Sequence, residues 1–181
     1  MGCDIHIFLE YQVRGERGWR AAHAKTFVDK RPDEMIYMNK LSGERNYDFF
    51  ALLNQVRGEF PESFEHTYFL PVDISNEISQ IYEAWGDDAH SAGSRTLGEL
   101  KEKAAQLLIA PIATTREKDR LMQRLPFWDH GTGALNDLIA EIQAERDRLL
   151  AEGDLVLSNL VPEGEPPFTD DQLRVVFWFD N

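Results

Sequence analysis

Apolar and polar residues alternate in two segments, 4–13 near the amino end and 173–179 near the carboxyl end. This period of two is typical of β-strands, because successive side chains of a strand point to opposite faces of its sheet. One side carries Ile5, Ile7, Leu9, Tyr11, Val175, Phe177 and Phe179. The other side carries Asp4, His6, Phe8, Glu10, Arg174, Val176, Trp178 and Asp180. We therefore predict that the two ends of the chain form strands of one antiparallel sheet.

Between these strands the apolar residues recur mainly at helical spacing. Two helices are predicted from Asn46 to a stop at Gly58 and from Ser75 to Gly86. A third is predicted from a capping box at Thr96 to about Leu108, and a fourth from a second capping box at Thr114 to a stop before Pro126. A fifth is predicted from about Gly133 to Glu152. A hairpin turn at 14–18 leads to a second strand from Trp19, and 29–45 is predicted as a loop with a short strand at Met35–Met38. The segments 59–73 and 87–95 are predicted to be loops.

Strands at both ends with helices between them favour an α+β fold. The chain has 181 residues, shows no internal repeat, and contains no linker long enough to separate two domains. We expect residues 1–181 to form a single domain in which an antiparallel sheet containing both terminal strands is covered by four to five helices.

The composition favours a cytoplasmic protein. Cys3 is the only cysteine and cannot form an internal disulfide, and no segment reaches the roughly 18 apolar residues of a membrane span. The opening Met1-Gly2-Cys3 resembles a lipidation signal, but His6 stands where the myristoylation pattern requires Ser or Thr. We therefore expect no membrane partner.

The charge of the chain is strongly negative, with 19 Lys and Arg against 32 Asp and Glu, a formal net charge of −13. Direct nucleic-acid binding is not expected, because phosphates would be repelled. Residues 14–45 reverse the trend, with 8 bases and 5 acids, or +3. This basic window is either a ligand face or a solvated hairpin edge protected by Lys and Arg.

Polar groups at the two terminal strands are the first candidates for chemistry. Asp4 and His6 share a strand face, as do Arg174 and Asp180 beside Trp178, so that carboxylate, imidazole and guanidinium groups could converge at the sheet edge. With His90 as a further ligand, Asp4, His6 and Asp180 could instead hold a divalent metal such as Zn, Mn or Mg. The alternative is that Asp4 and His6 only form local hydrogen bonds.

A second candidate is the polar segment 87–96, which precedes a predicted helix and is rich in Ser and Thr. Backbone amides at a helix start suit an anion, although a polar loop ending in a helix cap explains the same residues. His90 and Ser91 are adjacent there, but no nucleophile-elbow motif surrounds them. Cys3 beside Asp4 is not expected to be a nucleophile, because the carboxylate disfavours its thiolate.

Four separated segments of the chain resemble an uncharacterised family encoded by phages and prophages. They are MGCDIH (Met1–His6), RNYDFFALL (Arg45–Leu53), His90-Ser91 before TLGEL (Thr96–Leu100), and VFWFDN (Val176–Asn181). Around 91–97 the chain departs from the family, which tends to have a Trp-Leu-Thr there. The resemblance implies a viral accessory protein in a bacterial host cytoplasm and draws attention to the polar residues of these segments; it implies no activity.

Three functions follow, and whether the protein is an enzyme stays open. The first is a pocket for a small anionic, nucleotide-like ligand, acting against a host defence signal, with arginines on phosphates and Trp178, Tyr47 or Phe8 stacked on a base. The second is a divalent-metal-dependent phosphoester hydrolase. The third is an acidic protein-interaction module or nucleic-acid mimic, and homo-oligomers fit any of the three. The candidate ligand-binding residues are Asp4, His6, Arg45, Asn46, Tyr47, Asp48, His90, Ser91, Arg174, Trp178 and Asp180.

Overall fold

Two antiparallel strands from opposite ends of the chain form the centre of the structure, a computed structural model that describes residues 2–13, 16–22, 45–60, 62–109, 115–152 and 169–180. The predicted strand at Met35–Met38 and most of the basic window lie outside the described residues. The strands are β1 (Ile5–Tyr11), β2 (Arg20–Ala21), β3 (His90–Thr96) and β4 (Leu173–Phe179). The helices are α1 (Tyr47–Asn54), α2 (Asn76–Trp85), α3 (Leu97–Ile109) and α4 (Thr115–Glu152).

The sheet has the strand order β2-β1-β4-β3, and each neighbouring pair is antiparallel. β1 and β4 pair along their whole length, from Ile5 opposite Phe179 to Tyr11 opposite Leu173. The prediction that both terminal strands belong to one antiparallel sheet is therefore confirmed, as is the α+β class.

Helices cover both faces of this sheet. The alternating residues of β1 and β4 divide as predicted, and the face that includes Leu9, Val175 and Phe177 packs against α1, α3 and α4. The other face, including Phe8 and Trp178, packs against α2 through Ile78. Because apolar layers lie on both sides of β4, all seven of its residues are buried, including Arg174.

Helix α4 corrects the prediction that one helix stops before Pro126 and another begins near Gly133. The structure has a single helix of 38 residues through this region. Proline removes one N–H donor, and the weak helix formers Gly131 and Gly133 follow it, so local propensity does not explain the continuity of α4. Tertiary packing overrides the local stop signal, and Gly131 lies so close to Phe60 that a Cβ there would clash with its ring.

Two further boundaries differ from the predictions. Residues 90–96 form strand β3 and not a loop, because they pair with the second edge of β4. Helix α1 ends at Asn54 and not at Gly58, because Gln55 adopts a left-handed conformation with φ 55° and closes the helix.

The capping box predicted at Thr96 agrees with the structure, whereas Ser75 at the start of α2 makes no side-chain cap bond. Thr114, which opens the second predicted capping box, lies outside the described residues. The capping box at Thr96 is formed, since Thr96 N donates to Glu99 Oε2 at 2.7 Å and Glu99 N donates to Thr96 Oγ1 at 3.1 Å. Among the described residues, no helix is long and apolar enough to cross a membrane.

Candidate functional site

The end of the sheet where β1 begins and β4 ends brings together Asp4, His6, Arg45 and Asp180, here called the sheet-end cluster. Asp180 joins the two strands, because its Oδ1 accepts from Asp4 N at 2.9 Å and its backbone N donates to Asp4 O at 3.1 Å. The other carboxylate oxygen, Oδ2, lies 3.2 Å from His6 Nε2. The predicted convergence of Asp4, His6 and Asp180 is therefore present in the geometry.

His6 is held between aromatic rings as well as by Asp180. Its ring lies 4.3 Å from that of Trp85 and 5.6 Å from that of Trp178, centroid to centroid. The His6 side chain is 13% exposed. A carboxylate on one ring nitrogen and aromatic rings beside it fix the orientation of an imidazole, which is a condition for acid–base work and for ligand binding.

Arg45 brings a guanidinium to the cluster from the segment just before α1. Its Nε donates to Asp4 Oδ1 at 2.9 Å, and the Asp4 carboxylate raises the pKa of Arg45. The side chain is 52% exposed, and it lies so close over Gly2 that a Cβ there would clash with the guanidinium. Arg45 was predicted as a ligand residue but not as the partner of Asp4.

The start of α1 adjoins this cluster. Asn46 caps the helix, with Oδ1 accepting from Phe49 N at 3.0 Å, and its Nδ2 donates to His130 O of α4 at 3.2 Å. Tyr47 is 39% exposed and rests edge-on against Phe50. Burial raises the pKa of Asp48, and His130 Nδ1, 3.8 Å from its Oδ2, opposes this shift.

Arg174 does not join the sheet-end cluster, contrary to the predicted convergence. It lies six positions before Asp180, roughly 20 Å along an extended strand. It is 5% exposed, and its guanidinium is held by Glu10 and Asp73 under the ring of Trp19. The Arg174 guanidinium therefore uses its hydrogen bonds within the fold.

Trp178 and Phe8 offer no ring face to a base, because they are 0% and 4% exposed and stack on each other in the core. Of the three aromatic residues proposed for stacking, Tyr47 alone is exposed enough for it. Arg95 of the polar segment 87–96, the second candidate for anion binding, is also buried, and it donates to the carbonyls of Ser94 and Glu65. Burial lowers the pKa of Arg95, and Glu99 and Glu65 oppose the shift.

His90 and Ser91 lie on the neighbouring strand, and His90 faces the other side of the sheet from His6. His90 is opposite Phe179 in the register and its ring stacks on that residue, whereas His6 is opposite Trp178. Within the part of the chain that the structure describes, no three His, Cys, Asp or Glu side chains are grouped to hold a metal ion. Metal-dependent hydrolysis and an acidic interaction role stay predictions.

Two residues near these groups were not singled out by sequence reasoning. Trp85 flanks His6, and its signal was the apolar stripe of α2, which also predicts an ordinary core residue. Asn54 is fully buried and binds the backbone of both Thr67 and Ser91, a position that nothing in the local sequence indicates.

In comparisons with known proteins, no family model, curated protein or solved structure matches this chain.

Proposed function

We propose that the sheet-end cluster binds a small anionic ligand of nucleotide-like chemistry, and that the protein is a phage-type accessory protein acting in a bacterial host cell. The binding proposal rests on the hydrogen bonding and exposure of the Arg45 side chain. Its Nε is bound to Asp4, its side chain is half exposed, and among the described residues its two Nη groups have no hydrogen-bond acceptor.

A guanidinium in this state suits a phosphate. The Nη groups form a planar fork that donates two parallel hydrogen bonds to two phosphate oxygens, and such charge-assisted pairs are among the strongest in proteins. The Asp4 carboxylate fixes the side chain through Nε, so that less rotational freedom is lost when the ligand binds. Asp4 therefore acts as a positioning residue for Arg45.

Tyr47 supports the nucleotide-like part of the proposal. It follows Arg45 by two residues, the residue is 39% exposed, and its ring makes a T-shaped contact with Phe50. An exposed ring beside a phosphate-binding group can stack on a base.

The cellular setting rests on the resemblance of four segments to a phage and prophage family. Three of the cluster's residues, Asp4, His6 and Asp180, belong to the terminal segments, and Arg45 opens the second segment. A ligand site built from those segments fits an accessory protein that sequesters a nucleotide signal of host defence.

The test compares Arg45→Gln with Arg20→Gln, a matched control. Arg20 is 49% exposed and pairs with Glu16, much as Arg45 pairs with Asp4, but it lies on β2 and outside the sheet-end cluster. Linear and cyclic nucleotides, with inorganic phosphate as the reference anion, are screened by thermal shift and then by calorimetry at fixed salt concentration.

We expect at least one nucleotide to stabilise the wild-type protein more than phosphate does. Arg45→Gln should weaken that binding about tenfold or more, the effect of losing about 1.4 kcal/mol, and Arg20→Gln should leave it unchanged. No stabilisation by any nucleotide, or equal losses in both variants, would contradict the proposal.

A further inference from the structure

Strand β3 contains an irregularity at Ser91. The register pairs His90 with Phe179 and then Gly93 with Phe177, so that Ser91 and Ala92 together stand opposite Trp178. Ser91 has φ 51°, in the left-handed region. The extra residue reverses the alternation of the strand, since the His90 ring stacks on Phe179 while Ala92 packs on the opposite face with Trp178.

The backbone conformation at position 91 is unfavourable for serine. A side chain with a Cβ is strained at positive φ, whereas glycine adopts it freely, and Gly93 stands only two positions away. The fold alone would be served better by glycine at position 91. What serine adds is its hydroxyl group, and strained residues with a reactive side chain are typical of functional sites.

The hydroxyl is paired with a base. Ser91 Oγ lies 3.0 Å from His90 Nδ1, and Ser91 is only partly buried. His90 Nε2 is buried without a hydrogen-bond partner in the described structure. When Nδ1 accepts the Ser91 proton, the ring proton is on Nε2, and Nδ1 is the basic atom.

Asn54 holds this pair in place. It is fully buried, and its Nδ2 donates to Ser91 O and to Thr67 O at 2.8 Å each, while its Oδ1 accepts from Thr67 N at 2.8 Å. The hydrogen bond from the buried Asn54 of α1 therefore holds the backbone of Ser91 in place, and no ligand is needed to position it.

We propose that Ser91 is a nucleophile that His90 activates toward carboxylic esters, independently of anion binding at Arg45. Ser91 Oγ attacks the ester carbonyl carbon while its proton passes to His90 Nδ1, and the bond to the leaving alkoxide breaks as His90 returns that proton to it. Water then attacks the acyl-serine, giving its proton to His90, which returns the proton to Ser91 Oγ as the carboxylic acid leaves. Atoms and charges balance with water as the second substrate.

The experiment uses the full chain, a fluorophosphonate and p-nitrophenyl acetate. The fluorophosphonate forms an Oγ–P bond with loss of fluoride, and the displaced proton goes to solvent through His90. Intact mass gives the number of adducts, peptide mapping gives the modified residue, and p-nitrophenolate release gives the rate. Ser94→Ala, on the same strand, is the matched control.

Three variants separate a catalytic from a structural role. Ser91→Gly removes the hydroxyl and relieves the strain, so it should fold at least as well as the wild type but form no adduct. Ser91→Asn, which tolerates positive φ, is a second variant without the hydroxyl. His90→Asn keeps an acceptor near Nδ1 but no base, and should react about a hundredfold more slowly.

We expect a single adduct on Ser91 in the folded wild-type protein and in Ser94→Ala. The proposal is overturned by a wild-type protein that stays unmodified, by labelling of Ser91→Gly at the wild-type rate, or by equal labelling in urea, where the folded geometry of His90 and Ser91 is lost.

Discussion

Glu10 of β1 and Arg174 of β4 lie directly opposite each other in the sheet and form a buried ion pair, with Arg174 Nε donating to Glu10 Oε2 at 2.7 Å. The pair lies on the face covered by α2, and Glu10 is 0% exposed. Glu10 Oε1 accepts from Ser75 N at 2.7 Å, and Arg174 Nη1 donates to Asp73 Oδ1 at 2.8 Å. This network ties the two central strands to the segment that leads into α2.

Removing Arg174 should therefore be costly. Arg174→Met leaves the Glu10 carboxylate buried without its cation, which typically costs about 3–5 kcal/mol of unfolding free energy. Adding Glu10→Gln should recover part of the loss, because the unpaired charge is then gone. Urea denaturation measures both. Arg45→Gln, which breaks an exposed pair, is the control and should cost no more than about 1 kcal/mol. Equal losses in the two single variants would show that burial of the pair does not matter.

The same network makes a prediction about pH. Burial of Asp73 acts to raise its pKa, but the hydrogen bonds from Arg174 and Trp19 outweigh it and hold the pKa below the ordinary value. Since the folded pKa lies below the unfolded one, the stabilisation is present above the unfolded aspartate pKa of about 4 and is lost as the pH falls toward the folded value. Unfolding free energies measured from about pH 6 to about pH 2 should decline more steeply in the wild type than in Asp73→Asn. Parallel curves would contradict this assignment.

Two helix starts with similar sequence signals should respond differently to alanine. Asn46 caps α1 and also binds His130 O, so Asn46→Ala should cost about 1 kcal/mol, within the usual range for caps. Ser75 occupies the cap position of α2 but makes no side-chain cap bond, and its buried Oγ has no partner in the described structure. Ser75→Ala should thus be neutral or slightly stabilising. Thermal melts of the two variants decide it, and the reverse order of stabilities would be evidence against the assigned caps.

Cys3 should be protected from thiol reagents in the folded protein. It is 0% exposed, and burial raises its pKa more than Arg57 lowers it, so the reactive thiolate is disfavoured. Iodoacetamide at mildly alkaline pH should label the chain at a rate that follows the unfolded fraction as urea is added. Since the chain has one cysteine, the urea-unfolded protein is its own reference for full reactivity. Rapid labelling without urea would show that the amino end opens freely.

The sequence by itself determined the central strands, because their alternation is local. Each side chain of β1 and β4 lies on the face that the period of two assigns to it, and the helix caps at Asn46 and Thr96 are formed as their local sequence indicates. Strand β3 was missed for a physical reason: its small and polar residues carry no strand preference of their own. They become a strand because the second edge of β4 offers unpaired backbone groups.

Only the tertiary structure decided which polar groups meet. The period of two places Asp180 and Arg174 on the same face of β4, but antiparallel pairing with β1 sets Asp180 beside Asp4 and Arg174 against Glu10, at opposite ends of the strand. The guanidinium that reaches Asp4 comes instead from Arg45, 41 residues away along the chain. Register and long-range packing fix such contacts, and neither is encoded in the local pattern of hydrophobic and polar residues.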